Sequence, residues 1–183
     1  MNHQFTLKAM LLLILLLMLV GCQLTPQETD PNRTQVQLIR TIDGDTLTVT
    51  YNGKQEKVRL LLIDTPEMSD SIYGKEPYAQ EAKSYTAKLI QNAERLELEF
   101  DDGPERDKYS RLLAYVYVDG IMLQEALLKQ GLARVAYIYP PNVRHVDMFK
   151  EIEDKSQDMA LGIWSVEDYV QKDGFHPEVM IEP

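Results

Sequence analysis

Asp43 and Asp45 flank a glycine, and Asp64, Thr65 and Glu67 close the apolar run LLLI at residues 60–63. Arg59 stands just before that run, and Arg111 opens a later one, RLLAYVYV. Carboxylates together with a backbone carbonyl are the hard oxygen ligands that calcium takes, with water completing the shell. Two guanidinium groups can grip a phosphate through paired N–H donors and offset the charge that develops on it. A further carboxylate near a cation-bound water can orient or deprotonate that water. Oxygen ligands, a water-directing acid and paired arginines together make a workable phosphodiesterase. Each residue also has a plainer use. Aspartate favours turns unaided, Arg59 and Glu67 could form an ordinary ion pair, and Arg111 could be a solvated strand end.

Other chemistries find less support. There are three histidines, His3, His145 and His176, and no Cys/His spacing of the kind that holds zinc. There is no nucleophile elbow and no glycine loop of the phosphate-cradling type. The net charge of −10 works against nucleic-acid binding, where phosphates dominate affinity. Any such function must rest on a local site acting against the global field, and should then be markedly salt- and cation-dependent.

The elements that would carry these residues can be read from period and punctuation. Asp43-Gly44 and Asn52-Gly53 are dipeptides that favour two-residue hairpin loops. Between them DTLTVTY alternates threonine with Leu47, Val49 and Tyr51, which predicts a strand with one wet face in a three-stranded meander. Residues 76–92 place Ala79, Ala82, Tyr85/Thr86, Leu89 and Ile90 at helical spacing, with acids early and lysine late. Residues 95–100 and 111–118 read as strands around a polar loop, 121–131 as a short helix closed by Gly131, and 143–160 as an amphipathic helix. The order is three strands, helix, two strands, helix, helix. It predicts an α+β fold: a five-stranded OB-fold β-barrel with three α-helices.

Hairpin register alone does not assemble the acids. A two-residue loop at 52–53 pairs Tyr51 with Lys54, and therefore Asp45 with Leu60. Asp64 would then lie about 13 Å further along a straight strand. The site requires residues 61–64 to bend back over the first turn.

The ends suggest export. LLLILLLMLV follows a weakly basic start, is short for a bilayer span, and precedes Gly21-Cys22. Leu19-Val20-Gly21-Cys22 resembles the lipobox of bacterial lipoproteins, which implies a signal peptide over 1–21 and a lipid on Cys22. Cys22 is the one cysteine, so an internal disulfide gives it no role. Residues 22–34 then form a polar tether, 35–165 the domain, and 166–183 a tail expected to be extended or loosely docked. The expected location is the extracellular face of the cell membrane, with the domain anchored, or shed by proteolysis in the tether.

IDGDT (42–46), RLLLIDTPE (59–67), DKYSRLLAY (107–115), EALLKQGLARVAYIYPPN (125–142) and IWS (163–165) occur in one order, and in that order the chain resembles the staphylococcal nuclease, or thermonuclease, family over roughly residues 35–165. The resemblance implies calcium carboxylates at Asp45 and Asp64 and a backbone-carbonyl ligand at Thr65. It implies a water-directing acid at Glu67 and phosphate-binding arginines at Arg59 and Arg111, with Arg111 also stabilising the transition state. It places Lys108, Tyr109, Tyr137 and Tyr139 near the phosphate and base of a nucleotide, and Asp43 near the metal without direct ligation. The implied activity is calcium-dependent hydrolysis of DNA and RNA to 3′-phosphates and 5′-hydroxyls by a monomer. The chain departs from the family in the loop after Glu67, which holds one lysine where the best-known members are markedly basic. Two other readings compete with the nuclease. A catalytically silent nucleic-acid- or protein-binding OB module would have no need of the full set of acids and arginines. A structural calcium-binding lipoprotein would give Arg59 and Arg111 no role.

Overall fold

Two turn dipeptides shape the first half of the fold, and they act differently. Asn52 and Gly53 adopt positive φ values of 49° and 74°, as a two-residue hairpin loop requires, and Tyr51 pairs with Lys54 across them. Gly44 adopts no such angle. β1 (Arg33–Thr41) and β2 (Thr46–Tyr51) are joined by a wider loop, so the expected two-residue turn at 43–44 is corrected. What Gly44 supplies is room: a Cβ there would lie 2.7 Å from Thr65 Oγ1 and 2.8 Å from the Ala82 methyl. Thr86 Oγ1 donates a 2.7 Å hydrogen bond to the Gly44 carbonyl and ties the loop to a helix.

The computed structural model describes residues 30–69, 72 and 74–180. The expected signal peptide, Cys22 and most of the tether lie outside the described residues. β1 already begins at Arg33, so the end of the polar stretch belongs to the barrel.

β3 (Lys54–Leu60) continues the meander, and after the short β4 (Ile63–Asp64) come β5 (Leu96–Glu99) and β6 (Leu112–Val118). The hydrogen-bonded order is β3-β2-β1-β5-β6, extended past β6 by β7 (Ile121–Met122). A parallel pairing of β3 with β6, Val58 with Leu112 through Leu60 with Ala114, closes the sheet into a five-stranded barrel. Inward residues such as Leu47, Val49, Val58, Leu98, Ala114 and Val116 are fully buried. At roughly 1.5–3 kcal/mol for each buried large aliphatic side chain, such a core can offset the burial of charge at its rim. The expected wet face of β2 is only partly wet. Thr46 and Thr48 are also buried, Thr46 donating to Asp45 at 3.1 Å and Thr48 accepting from Arg40 at 3.5 Å.

Among the described residues three α-helices pack on the barrel: α1 (Ala79–Gln91), α2 (Leu123–Lys129) and α3 (Val146–Asp158). α1 buries Ala79, Ala82, Thr86 and Ile90 at the spacing of one helical face, with Glu81 in its first turn and Lys88 in its last. Gly131 ends α2 at φ 62°, its N–H bonded to the Leu128 carbonyl at 3.0 Å. α3 turns Phe149 and Ile152 inward. β8 (Arg134–Val135) lies between α2 and α3 in sequence.

The tail is more ordered than its composition suggests. β9 (Val170–Gln171) and β10 (Gly174–Phe175) pair as a hairpin, and Tyr169 before them is fully buried. The Tyr169 hydroxyl donates to the Pro77 carbonyl at 2.7 Å, and its ring packs 6.2 Å from Tyr78 and 5.6 Å from Phe175. Aromatic burial, which periodicity does not reveal in so short a segment, replaces the loose docking expected.

Candidate active site

The bend that the acids need is present. The Leu60 N–H bonds to the Asp45 carbonyl at 2.9 Å, so the hairpin register persists to the end of β3. Leu62 then adopts φ 65°, and β4 departs to pair antiparallel with β8, Ile63 opposite Val135 and Asp64 opposite Arg134. A leucine at positive φ costs on the order of 1–3 kcal/mol. Its surroundings hold it there: Leu61, Leu62 and Ile63 are all buried, and the Ala136 N–H bonds to the Leu62 carbonyl at 3.0 Å. Arg59 adds an internal strut. Its Nη1 donates to the carbonyls on both sides of the turn, Leu60 at 3.0 Å and Ile63 at 2.8 Å.

The same guanidinium gathers the carboxylates. Arg59 Nη1 lies 3.1 Å from Asp45 Oδ2, and Nη2 lies 3.1 Å from Asp64 Oδ1. Thr65 donates to Asp45 Oδ2 twice, from its backbone N–H at 2.8 Å and its hydroxyl at 3.1 Å. Asp43 Oδ1 accepts the Asp45 N–H at 3.1 Å, which fixes the loop between β1 and β2. Glu67 stands at the exposed rim. Its N–H bonds to Glu76 Oε2 at 2.7 Å, and the Glu76 N–H returns a 3.0 Å bond to the Glu67 carbonyl. Arg59 thus pairs with Asp45 and Asp64, not with Glu67 as the plainer reading allowed.

Charge in this cluster is unbalanced. Four carboxylates, Asp43, Asp45, Asp64 and Glu67, face the guanidinium groups of Arg59 and Arg134. Desolvation and then the Asp45 charge push the Asp43 carboxyl up to about 6. Desolvation, then Asp43 and Asp45, push Glu67 up to about 7, although Arg59 opposes them. Asp64 is raised by burial and by Asp45, against Arg59 and Arg134. Burial favours loss of the Arg59 proton, but Asp45 and Asp64 outweigh it and hold that group above its ordinary value.

This donor set suits a hard divalent cation. Excess buried carboxylate charge, presented by oxygen ligands alone, is what calcium neutralises. Among the described residues no group of three or more acids, histidines or cysteines forms a ready cage. Asp45 and Asp64 would hold the ion with Thr65, sharing their oxygens with Arg59.

The remaining expected residues fall into two groups. Tyr137 is half exposed, with the Arg59 guanidinium 5.4 Å from its ring, and Tyr139 is exposed nearby in sequence. Arg111, Tyr109 and Lys108 form a second group. Arg111 Nε bonds to Asp107 Oδ2 at 2.7 Å, and Tyr109 stacks 5.5 Å from Arg111 and 5.0 Å from Lys108. Arg111 does not touch the carboxylates. The parallel register of Arg59 with Leu113 brings its strand alongside Arg59 and places their Cα atoms roughly 8 Å apart. Tyr115 and Tyr117 are buried packing residues. Three participants escaped the sequence reading: Glu76 behind Glu67, Asp107 behind Arg111, and Arg134 opposite Asp64. Their partners are fixed by folds of the chain that no local pattern announces.

A closed five-stranded barrel with acids and an arginine gathered at a bend beside its first loop defines the class. The chain belongs to the family of staphylococcal nuclease homologues, which its residues 57–166 match. It is 52% identical over 141 residues to the SPbeta prophage-derived endonuclease YokF of Bacillus subtilis (strain 168), covering 77% of this chain and 47% of that protein. It is 51% identical over 141 residues to Endonuclease YncB of the same organism, covering 77% and 66%. The Thermonuclease of Staphylococcus hyicus is 36% identical over 137 residues, covering 75% and 79%. The chain thus spans about half to two-thirds of the length of the two Bacillus subtilis relatives.

Proposed function

We propose that this chain is a calcium-dependent nuclease that hydrolyses DNA and RNA chains to 3′-phosphates and 5′-hydroxyls. The observation that carries the reading is the junction of Asp45 and Asp64 on one buried guanidinium, beside a rim acid, Glu67, pushed up to about 7. The relatives, two endonucleases and a thermonuclease by name, support it.

Calcium, when bound, supplies the positive charge that polarises the phosphate and acidifies water. The residues do the rest. Glu67 holds the attacking water in line and accepts its proton. Arg59, at the junction of the two aspartates, would meet a phosphate oxygen with its fork. Arg111, anchored by Asp107, reaches the same phosphate and meets the charge that grows in the transition state. The water oxygen bonds to phosphorus as the P–O5′ bond breaks, and the departing 5′-oxygen takes a proton from solvent to become the 5′-hydroxyl. Tyr137 and Tyr139 offer exposed faces for the base, and Lys108 and Tyr109 line the approach of the phosphate.

In this reading the enzyme works as a monomer at the outer face of the cell membrane, held by a lipid on Cys22. Mass spectrometry of the mature N-terminus tests the anchor. For the activity, the protein is incubated with single-stranded DNA or RNA, in calcium or in chelator, and the new ends are identified. Cleavage in calcium alone, leaving 3′-phosphates, is expected; equal products in chelator, or none in calcium, would refute it.

A further inference from the structure

Arg134 has no part in the mechanism above, yet it stands directly against Asp64. The β4–β8 register places the two residues opposite each other. Arg134 Nε and Nη2 lie 3.1 Å and 3.0 Å from Asp64 Oδ2, while Arg59 Nη2 takes Oδ1 at 3.1 Å. Each oxygen of this carboxylate therefore has its own guanidinium, and its plane is fixed from both sides.

The far side of Arg134 is closed by the tail. Its Nη1 donates to the Gln171 carbonyl at 3.4 Å, and the Phe175 ring lies 5.5 Å from the guanidinium carbon. At 3.4 Å the hydrogen bond is weak, so the aromatic lid, within cation–π range, is the stronger restraint. It leaves the Arg134 side chain 11% exposed. The hairpin is fastened in turn by buried Tyr169, whose hydroxyl holds the Pro77 carbonyl and whose own carbonyl accepts the His176 N–H at 2.8 Å. This hairpin lies past the residues 57–166 that match the family.

We propose that Arg134 is a positioning residue that sets the orientation of Asp64 for cation binding, and that the hairpin Val170–Phe175 is the brace that keeps Arg134 there. The inference rests on the calcium reading for the identity of the ligand, but not for the geometry. Partners that orient a ligating carboxylate typically contribute 10–100-fold in metal affinity. An arginine that only neutralised charge would be replaceable by lysine. One that orients through its planar fork is not.

The test measures calcium affinity of the full chain by titration calorimetry, together with hydrogen exchange of the Asp64 and Thr65 amides in chelator. Arg134→Met should weaken calcium binding by about 10–100-fold. Arg134→Lys should stay within about threefold of the Met variant. Phe175→Ala, which leaves both charges intact, should weaken binding by about three- to tenfold and speed exchange at both amides. Parental affinity in Arg134→Met or in Arg134→Lys overturns the positioning role. Parental affinity and exchange in Phe175→Ala overturn the brace. If the parent chain itself binds no calcium, the proposed function fails instead. Exchange then decides the geometry: faster exchange in Arg134→Met and Phe175→Ala supports it, and unchanged exchange overturns it.

Discussion

Arg59 and Asp64 stand on the two limbs of one bend, five residues apart, with Nη2 and Oδ1 separated by 3.1 Å. Because the same guanidinium also holds Asp45 and two carbonyls of the turn, it is both a charge partner and a backbone strut. Breaking a buried ion pair from one side costs about 3–5 kcal/mol, since the surviving charge stays buried. Arg59→Met is expected to lose about that much unfolding free energy in urea with chelator present. Calcium should restore part of the loss by binding the folded state. A variant as stable as the parent in chelator would contradict the strut.

Stability without calcium should fall as pH rises. An acid whose folded pKa exceeds its ordinary value binds more protons folded than unfolded between the two values, so folding weakens through that window. For Glu67 the window runs from 4.5 to about 7, and for Asp43 from 3.8 to about 6. The melting temperature in chelator should therefore decline between about pH 4.5 and 7 relative to Glu67→Gln, which lacks one of the two groups. Parallel curves for parent and variant would show that Glu67 does not titrate in that range.

Glu67→Gln keeps the shape of the rim and removes the proton acceptor. Its kcat on single-stranded DNA should drop by about 10²–10⁴-fold. Affinity for a non-cleavable oligonucleotide should change little, because the proposed mechanism has Arg59 and Arg111 hold the phosphate. A matching loss in affinity would move Glu67 from water to substrate.

Gly44→Ala tests the contact between the first loop and Thr65. The new methyl would meet Thr65 and Ala82 at 2.7–2.8 Å. The expected cost is about 1–3 kcal/mol of stability, with weaker calcium binding as Asp45 shifts from Thr65. Loss of stability with unchanged calcium affinity would show that the loop yields without moving Asp45.

Affinity for single strands should depend on salt less steeply than the marked dependence the net charge leads one to expect. Arg106 is engaged by Glu56, and Arg144 by Glu99, Asp101 and Asp102. In the proposed mechanism Arg59, Arg111 and Lys108 meet phosphate, which predicts a slope of about −2 in log K against log salt. The measurement is oligonucleotide binding to Glu67→Gln at several salt concentrations; a slope near −5 would reveal a wider basic track.

The barrel was legible because its strands alternate cleanly and Asn52-Gly53 pins one register, from which Asp45 opposite Leu60 follows. The need for a bend at 61–64 could be deduced from that register. How it is made could not, because Leu62 adopts a backbone conformation that leucine disfavours and is held there by contacts from β8 and Arg59. Gly44 was legible as important and misread in kind: it answers crowding from Thr65 and Ala82, which are distant in sequence. Arg134, Glu76 and Asp107 were invisible for the same reason. The hairpin at 170–175 owes its order to a few aromatic contacts, too few to leave a period.

β1 also gives the domain a direction. It starts at Arg33, paired with Glu99, and ends at Thr41, two residues before Asp43. Nine strand residues make about 30 Å of contour. The end of β1 at Arg33 is thus the far end, along the strand, from the loop that carries Asp43 and Asp45.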